Sequence, residues 1–251
     1  MKNILNKELV ERYSRQIVLK DVGPTGQKKI INSKVLVVGA GGLGCPVIDY
    51  LSRAGVGNIG VVDNDKVNIS NIHRQSLYNS KDVGKFKVNV VKQKIKLINP
   101  QVNIKTFKAR IEKKNIEKIF KNYHFIIDGS DNFKTKFLLN EYSLKYKKIL
   151  IVGAISKMDG HIFTFDFKNK NSPCLKCFYQ TKPSDEILNC EFEGILGPVA
   201  GIVGSIQAME VLKKILKIGD KSGREIFILD LNKLNFRKVE FEKKNNCICK
   251  K

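Results

Sequence analysis

No stretch of this 251-residue sequence approaches the ~20 consecutive apolar residues needed to cross a bilayer, so no membrane-spanning helix is expected. The opening MKNILNKELVERYSRQ has no apolar segment followed by small residues, and no secretory leader is expected either. Histidine is scarce. His73, His124 and His161 are the whole supply, and each reads as an ordinary packed or exposed side chain without a catalytic role. Arginine is also scarce, seven among 46 cations, and the lysines are scattered (KKII, KVNVVKQKIK, EKKNIEKIFK) with no dense basic tract. That distribution argues for lysine-covered helix surfaces and against a nucleic-acid-reading face. Acids are outnumbered 24 to 46, which leaves a net charge of +22 and keeps attraction to an acidic protein partner open. An internal repeat and a polar linker between independent domains are both lacking.

What is present suffices for a globular fold. Hydrophobic residues make up 42% and charged residues 28%, enough for a sizeable core and too apolar for a disordered chain; a soluble, cytoplasmic protein is expected. Residues 5–20 carry Leu5, Leu9, Tyr13 and Ile17 at near four-residue spacing and read as one helix, broken by Gly23, Pro24 and Gly26. Short valine- and isoleucine-rich runs follow at 34–39, 58–63, 102–107, 125–128 and 149–153, alternating with helical stretches that include 85–98 and 115–121. This alternation predicts a Rossmann-like, doubly wound, mostly parallel sheet. Beyond residue 155 the pattern changes. GHIFTFDF (160–167) alternates as an antiparallel strand does, 168–196 reads as loop, 197–217 as a long helix, and 226–231 with 236–241 as a final hairpin. The parallel sheet is therefore extended by antiparallel C-terminal strands.

Gly39-Ala-Gly41-Gly42-Leu-Gly44 follows the first strand and precedes a helix, the setting in which glycines let a phosphate approach the backbone. Asp63 ends the second strand, where a carboxylate can accept ribose hydroxyls. These two features alone fit an NAD-dependent oxidoreductase. The next residues do not. Ser70, Asn71, Arg74 and Gln75 lie beyond the second strand, Lys87 opens the following helix, and Asp131-Asn132 close the 125–128 strand. Cations and a carboxylate beside a helix N-terminus suit a nucleoside triphosphate with Mg²⁺. Cys45 reads as a small core residue.

Taken in order, Arg12-Tyr-Ser-Arg15-Gln16, GAGGLGCP, AGVGNIGVVD, SNIHRQ, VGKFK, DGSDN, GAISKMDGHI, PCLKC and GPVAGIVGSIQAMEVLKKIL resemble the E1-like adenylating enzymes of the ThiF/MoeB/HesA type along essentially the whole chain. The tRNA-modifying dehydratases related to them share the ATP site but do not typically carry the Arg-Tyr-x-Arg-Gln start or the cysteine pairs. The resemblance implies one adenylation domain over 1–251: an N-terminal arm (1–27), a nucleotide-binding half (28–155) and a carrier- and zinc-binding half (156–251). It implies ATP-dependent adenylation of the C-terminal Gly-Gly carboxylate of a ubiquitin-like sulfur carrier, for thiamine or molybdopterin biosynthesis. The implied roles are Gly39, Gly41 and Gly42 at the nucleotide, Asp63 on ribose, and Asn71, Arg74 and Lys87 on the phosphates. Asp131 holds Mg²⁺ or orients the phosphates with Asn132 beside it, and Ser70 and Gln75 act as positioning residues or as structural caps. Arg15 matches an arginine that enters the neighbouring subunit's ATP site, implying a homodimer. Cys190 is either a nucleophile or persulfide partner for the activated carrier, or a spectator thiol.

The remaining cysteines are paired. Cys174 and Cys177 have the C-x-x-C spacing that lets two thiolates share a tetrahedral Zn²⁺. Cys247 and Cys249 form a C-x-C, one residue shorter than the second pair usual in relatives with this site. A structural zinc on these four thiolates is expected, away from ATP.

Overall fold

The computed structural model describes residues 5–179, 181, 183, 194–219 and 223–250. Cys190 lies outside the described residues. The strands, in chain order, are β1 (Lys34–Val38), β2 (Asn58–Val62), β3 (Asn103–Phe107), β4 (Phe125–Asp128), β5 (Ile149–Ser156), β6 (Asp159–Asp166), β7 (Glu225–Asp230) and β8 (Asn235–Glu240). They form one eight-stranded sheet in the order β3-β2-β1-β4-β5-β6-β7-β8. Pairing is parallel from β3 to β5 and antiparallel from β5 to β8, as the two kinds of sequence pattern require. In β1, Val35 to Val38 are all buried. A strand apolar at consecutive positions needs cover on both faces, and the centre of a parallel sheet supplies it.

The helices provide that cover. They are α1 (Lys7–Arg12), α2 (Ser14–Ile17), α3 (Gly23–Ile31), α4 (Gly44–Ala54), α5 (Lys87–Ile98), α6 (Ile116–Phe120), α7 (Phe133–Lys145), α8 (Leu175–Phe178) and α9 (Gly197–Leu216). On one face Val35 and Val37 share a core with Ile30 of α3, Ile48 of α4, Val91 of α5 and Val203 of α9. On the other, Leu36 and Val38 share a core with Phe120 of α6, Leu139 of α7 and Leu175 of α8. Full burial of each such side chain stabilises the fold by about 1.5–3 kcal/mol. The strand order reverses between β1 and β4, so their C-terminal ends diverge from two outgoing connections and leave a crevice.

The N-terminal segment departs from the sequence reading. Two short helices replace the single one expected over 5–20, and Gly23-Pro24 starts α3 where a break was expected. Proline is at home in the first helical turn, where its missing N–H has no partner to lose. The arm is held by its own motif. Tyr13 is buried and its hydroxyl accepts from Asn99 Nδ2 at 2.8 Å. Gln16 Nε2 donates to Gln27 Oε1 and to the Ala54 carbonyl, both at 3.2 Å, and Arg12 donates to the Ile98 carbonyl at 3.2 Å. The arm is thereby docked on the C-terminal ends of α4 and α5, while Arg15 stays exposed. A second departure is α8, a single turn inside the stretch read as loop.

Candidate active site

The crevice at the C-terminal ends of β1, β2 and β4 opens into a cavity of about 430 Å³. Gly39, Gly41, Gly42, Asp63, Ser70, Asn71, Arg74, Gln75, Lys87, Asp131 and Asn132 all line it. Every nucleotide-contacting residue expected from the sequence is therefore brought to one place. Arg15 is not among the lining residues of its own chain. Sequence reasoning missed Asp65, the wall Ala109-Arg110-Ile111, and Lys136 with Ala154 on the floor.

One wall is the glycine turn. Gly39 has φ +94°, and a side chain there would meet the Gly129 carbonyl at 2.7 Å; one at Gly44 would meet the Gly39 carbonyl at 1.9 Å. Only glycines close this turn, which leads directly into α4, whose first residues have no side-chain cap. Uncapped N–H groups and the helix dipole favour an anion. The turn is braced from behind, where the Ala40 carbonyl accepts from Tyr78 Oη at 2.7 Å and from Cys45 Sγ at 3.5 Å. Burial pushes the Cys45 thiol up to about 12, so it stays protonated and structural, as read from the sequence.

Asp63 accepts the Ala40 N–H at 2.8 Å on Oδ2 and the Asp65 N–H at 2.7 Å on Oδ1. Burial raises its pKa above the ordinary carboxylate value, against the opposing pull of Lys87 and these two amides. Each oxygen can accept a further hydrogen bond, and Asp63 lines the cavity. Lys87 is 5% exposed, and its Nζ lies 3.2 Å from Asp65 Oδ2. Asp65 is thus the ion-pair partner of this nearly buried side chain. Its only sequence signal is its place two residues after Asp63. Arg74 Nη1 donates to the Ser70 carbonyl and to His73 Nε2, both at 2.9 Å. Ser70 is itself held by Asn68, whose Oδ1 accepts both its N–H and its hydroxyl at 3.0 Å. Gln75 is buried, and its Oε1 has no hydrogen-bond partner among the described residues.

Opposite these cations, Asp131 is exposed at the end of β4. Asn132 Nδ2 donates to it at 3.2 Å, and Asn132 Oδ1 accepts the Thr135 N–H at 2.9 Å as the N-cap of α7. The cap fixes the start of α7, and the Asp131 carboxylate beside it lines the cavity, a hard oxygen ligand of the kind Mg²⁺ takes.

The four cysteines meet behind the sheet. The sulfurs of Cys174, Cys177, Cys247 and Cys249 all lie within 4.8 Å of one another, with Cys174–Cys247 at 3.5 Å and Cys177–Cys249 at 3.4 Å. A tetrahedron with ~2.3 Å Zn–S bonds has edges of roughly 3.8 Å, and four sulfurs this close together could hold a metal ion. Burial, with the neighbouring sulfurs adding to it, pushes the Cys174 thiol up to about 12. Against the same burial, the hydrogen bonds it accepts hold the Cys177 thiol below its ordinary value. Asn140 of α7 supports the knuckle by accepting the Leu175 N–H at 2.8 Å.

Comparison with known proteins agrees with this geometry. The ThiF family profile matches residues 13–250. The sulfur carrier protein adenylyltransferase of Thermus thermophilus is 37% identical over 245 residues, covering 96% of this chain and 90% of its own length. A probable molybdopterin-synthase adenylyltransferase of Gracilaria tenuistipitata is 38% identical over 248 residues, covering 97% of this chain and 69% of its own. The chain spans 54% of the adenylyltransferase and sulfurtransferase MOCS3 of Drosophila virilis, at 38% identity over 245 residues. The crystal structure of E. coli MccB with ATP shares the fold, with TM-score 0.81 at 20% identity over 95% of this chain and 74% of that one. These relatives are adenylyltransferases, so neither the nicotinamide reading of the glycine turn nor the tRNA dehydratase is favoured. With its motifs gathered around one cavity and the match running from residue 13 to residue 250, the chain belongs to the ThiF family.

Proposed function

We propose that the protein uses ATP to adenylate the C-terminal Gly-Gly carboxylate of a ubiquitin-like sulfur-carrier protein. A carboxylate oxygen attacks the α-phosphorus, the bond from that phosphorus to the bridging oxygen of the β-phosphate breaks, and pyrophosphate leaves with the electron pair. The observation that carries this reading is the convergence of Arg74, Lys87, Asp131 and the glycine turn on one cavity of a ThiF-family chain. The uncatalysed step is slow because two anions repel each other, and fixed cations remove that repulsion without reorganising. No general base is needed, since a carboxylate is ionised at neutral pH.

In this reading Asp63 accepts the ribose hydroxyls, and the N-terminus of α4 with Gly41 and Gly42 faces the phosphates. Arg74, Lys87 and Asn71 bind the triphosphate, and Gln75 donates or accepts beside Gly41. Asp131 holds Mg²⁺, which screens the phosphate charge when bound. Arg15, exposed on an arm docked away from its own cavity, reaches the site of a second subunit in a homodimer. Cys174, Cys177, Cys247 and Cys249 hold a structural Zn²⁺ that joins α8 to the C-terminal end of the chain. Cys190 takes no part in this scheme.

The test is ATP–pyrophosphate exchange with a panel of purified sulfur carriers. Exchange should require a carrier ending in Gly-Gly and disappear when the last glycine is removed. Exchange without any carrier, or equal exchange with the truncated carrier, would overturn the proposal.

A further inference from the structure

Lys136 borders the cavity and forms with Asp128 behind it an ion pair that the adenylation scheme does not use. Asp128, the last residue of β4, is fully buried, and Lys136 of α7 is 1% exposed. The Lys136 ammonium has three hydrogens and three acceptors: Asp128 Oδ2 at 3.3 Å, the Ser130 carbonyl at 2.8 Å and the Gly153 carbonyl at 2.6 Å. Asp128 is satisfied in turn. Its Oδ1 accepts the Ser130 N–H at 2.9 Å and the Ser130 hydroxyl at 2.5 Å, and its backbone carbonyl accepts Gln207 Nε2 of α9 at 2.9 Å.

A buried ion pair of this kind adds little net stability, because removing both charges from water costs about what their attraction returns. Its effect is positional. The ammonium joins the turn after β4 to β5, and α9 holds the same turn from the other side. The Ser130 carbonyl belongs to the peptide whose nitrogen is that of Asp131, so fixing that oxygen fixes the peptide plane from which the Asp131 side chain departs. Lys136 borders the cavity, yet all its hydrogens are spent on protein oxygens, so it has none to offer a nucleotide.

We propose that Lys136 is a positioning residue for adenylation: by tying the Asp128–Asn132 turn to β5, it sets the place of Asp131 and of the divalent cation that this carboxylate would hold. The inference rests on the nucleotide-site reading above. It predicts that Lys136 and Asp131 act as one unit.

The experiment measures Mn²⁺ affinity of the enzyme–ATP complex by electron paramagnetic resonance, alongside carrier-dependent pyrophosphate exchange. Lys136→Met should weaken Mn²⁺ binding and lower the exchange kcat about tenfold or more, with the KM for ATP within about twofold of wild type. Lys136→Arg should restore most of both. Asp131→Asn should show the same losses, and the double variant Asp131→Asn/Lys136→Met should be no more than about twofold worse than Asp131→Asn alone. Where Lys136→Met does not fold, Asp128→Asn/Lys136→Met, which leaves no unpaired buried charge, takes its place with the same expectations. Losses that multiply in the double variant, or unchanged Mn²⁺ affinity in a folded variant lacking Lys136, would overturn the proposal. Unchanged Mn²⁺ affinity in Asp131→Asn would instead overturn the nucleotide-site reading.

Discussion

Lys87 offers the sharpest separation of activity from stability. Lys87→Met keeps most of the buried aliphatic stem, removes the ammonium, and leaves the backbone bond from its own N–H to the Asp65 carbonyl at 3.0 Å untouched. In the fold, the ammonium's partner is Asp65, whose side chain is 58% exposed. Water solvates that carboxylate once the pair is broken, so the loss in stability should stay near the ~0–1 kcal/mol of a surface ion pair. In the reaction the same ammonium faces a triphosphate in a partly enclosed cavity. Two unit charges about 4 Å apart at an effective dielectric of about 20 interact by about 4 kcal/mol, close to three decades in rate. Carrier-dependent pyrophosphate exchange should therefore fall by at least about a hundredfold while the melting temperature moves by only a few degrees. Exchange within about threefold of wild type, in a variant that melts normally, would refute the placement of Lys87 on the phosphates.

Mixing Arg15→Ala with Lys87→Met subunits, each inactive alone, should restore about a quarter of the wild-type exchange, since random pairing makes half the dimers mixed and one of their two sites complete. A monomer in light scattering, or no recovery on mixing, would refute the crossing arginine. Protein purified without chelator should carry about one zinc per chain, lost in Cys174→Ser and Cys249→Ser alike together with several degrees of melting temperature; metal-free protein of unchanged stability would show that the cluster has no such role. Burial opposes ionisation of Asp82, but Lys85 at 3.1 Å, the Asn79 N–H at 3.2 Å and Lys94 at 3.8 Å outweigh it and hold its pKa below the usual value. That stabilisation is present above the unfolded carboxylate pKa and is lost as pH falls through the folded value. Asp82→Asn should cost about 1–2 kcal/mol at pH 7 in chemical denaturation, with the difference from wild type vanishing in acid.

Much of the fold was legible in local pattern. The consecutive apolar residues of β1, the alternation in β6 and the long small-residue start of α9 are each written in a few neighbouring positions, because strand and helix periods are local properties. The glycine turn was equally legible, since Gly39 at φ +94° and Gly44 against the Gly39 carbonyl tolerate no other residue. Placing Asp63, Arg74, Lys87 and Asp131 just beyond strand ends was enough to bring them to one cavity, because parallel strands all deliver their C-terminal ends to the same edge.

What the tertiary structure alone decided are the pairings between elements. Nothing local marks Asp65 as the partner of Lys87, 22 residues on, or Lys136 as the shared donor of Ser130 and Gly153. The Gly23-Pro24 pair is as compatible with a break as with a helix start, and the packing of Ile30 into the core settled it as α3. The cysteine pairs lie 72 and 73 residues apart along the chain, so spacing named the chelating halves while only the fold brought their sulfurs within 4.8 Å. The absence of Arg15 from the lining of its own chain's cavity has the same kind of reason: Tyr13 and Gln16 dock the arm on α4 and α5, a choice made by a buried hydroxyl and a half-buried amide finding partners far along the chain. Sequence pattern determines which face and which end of an element a residue occupies; which residue it meets there is set by how the faces are brought together.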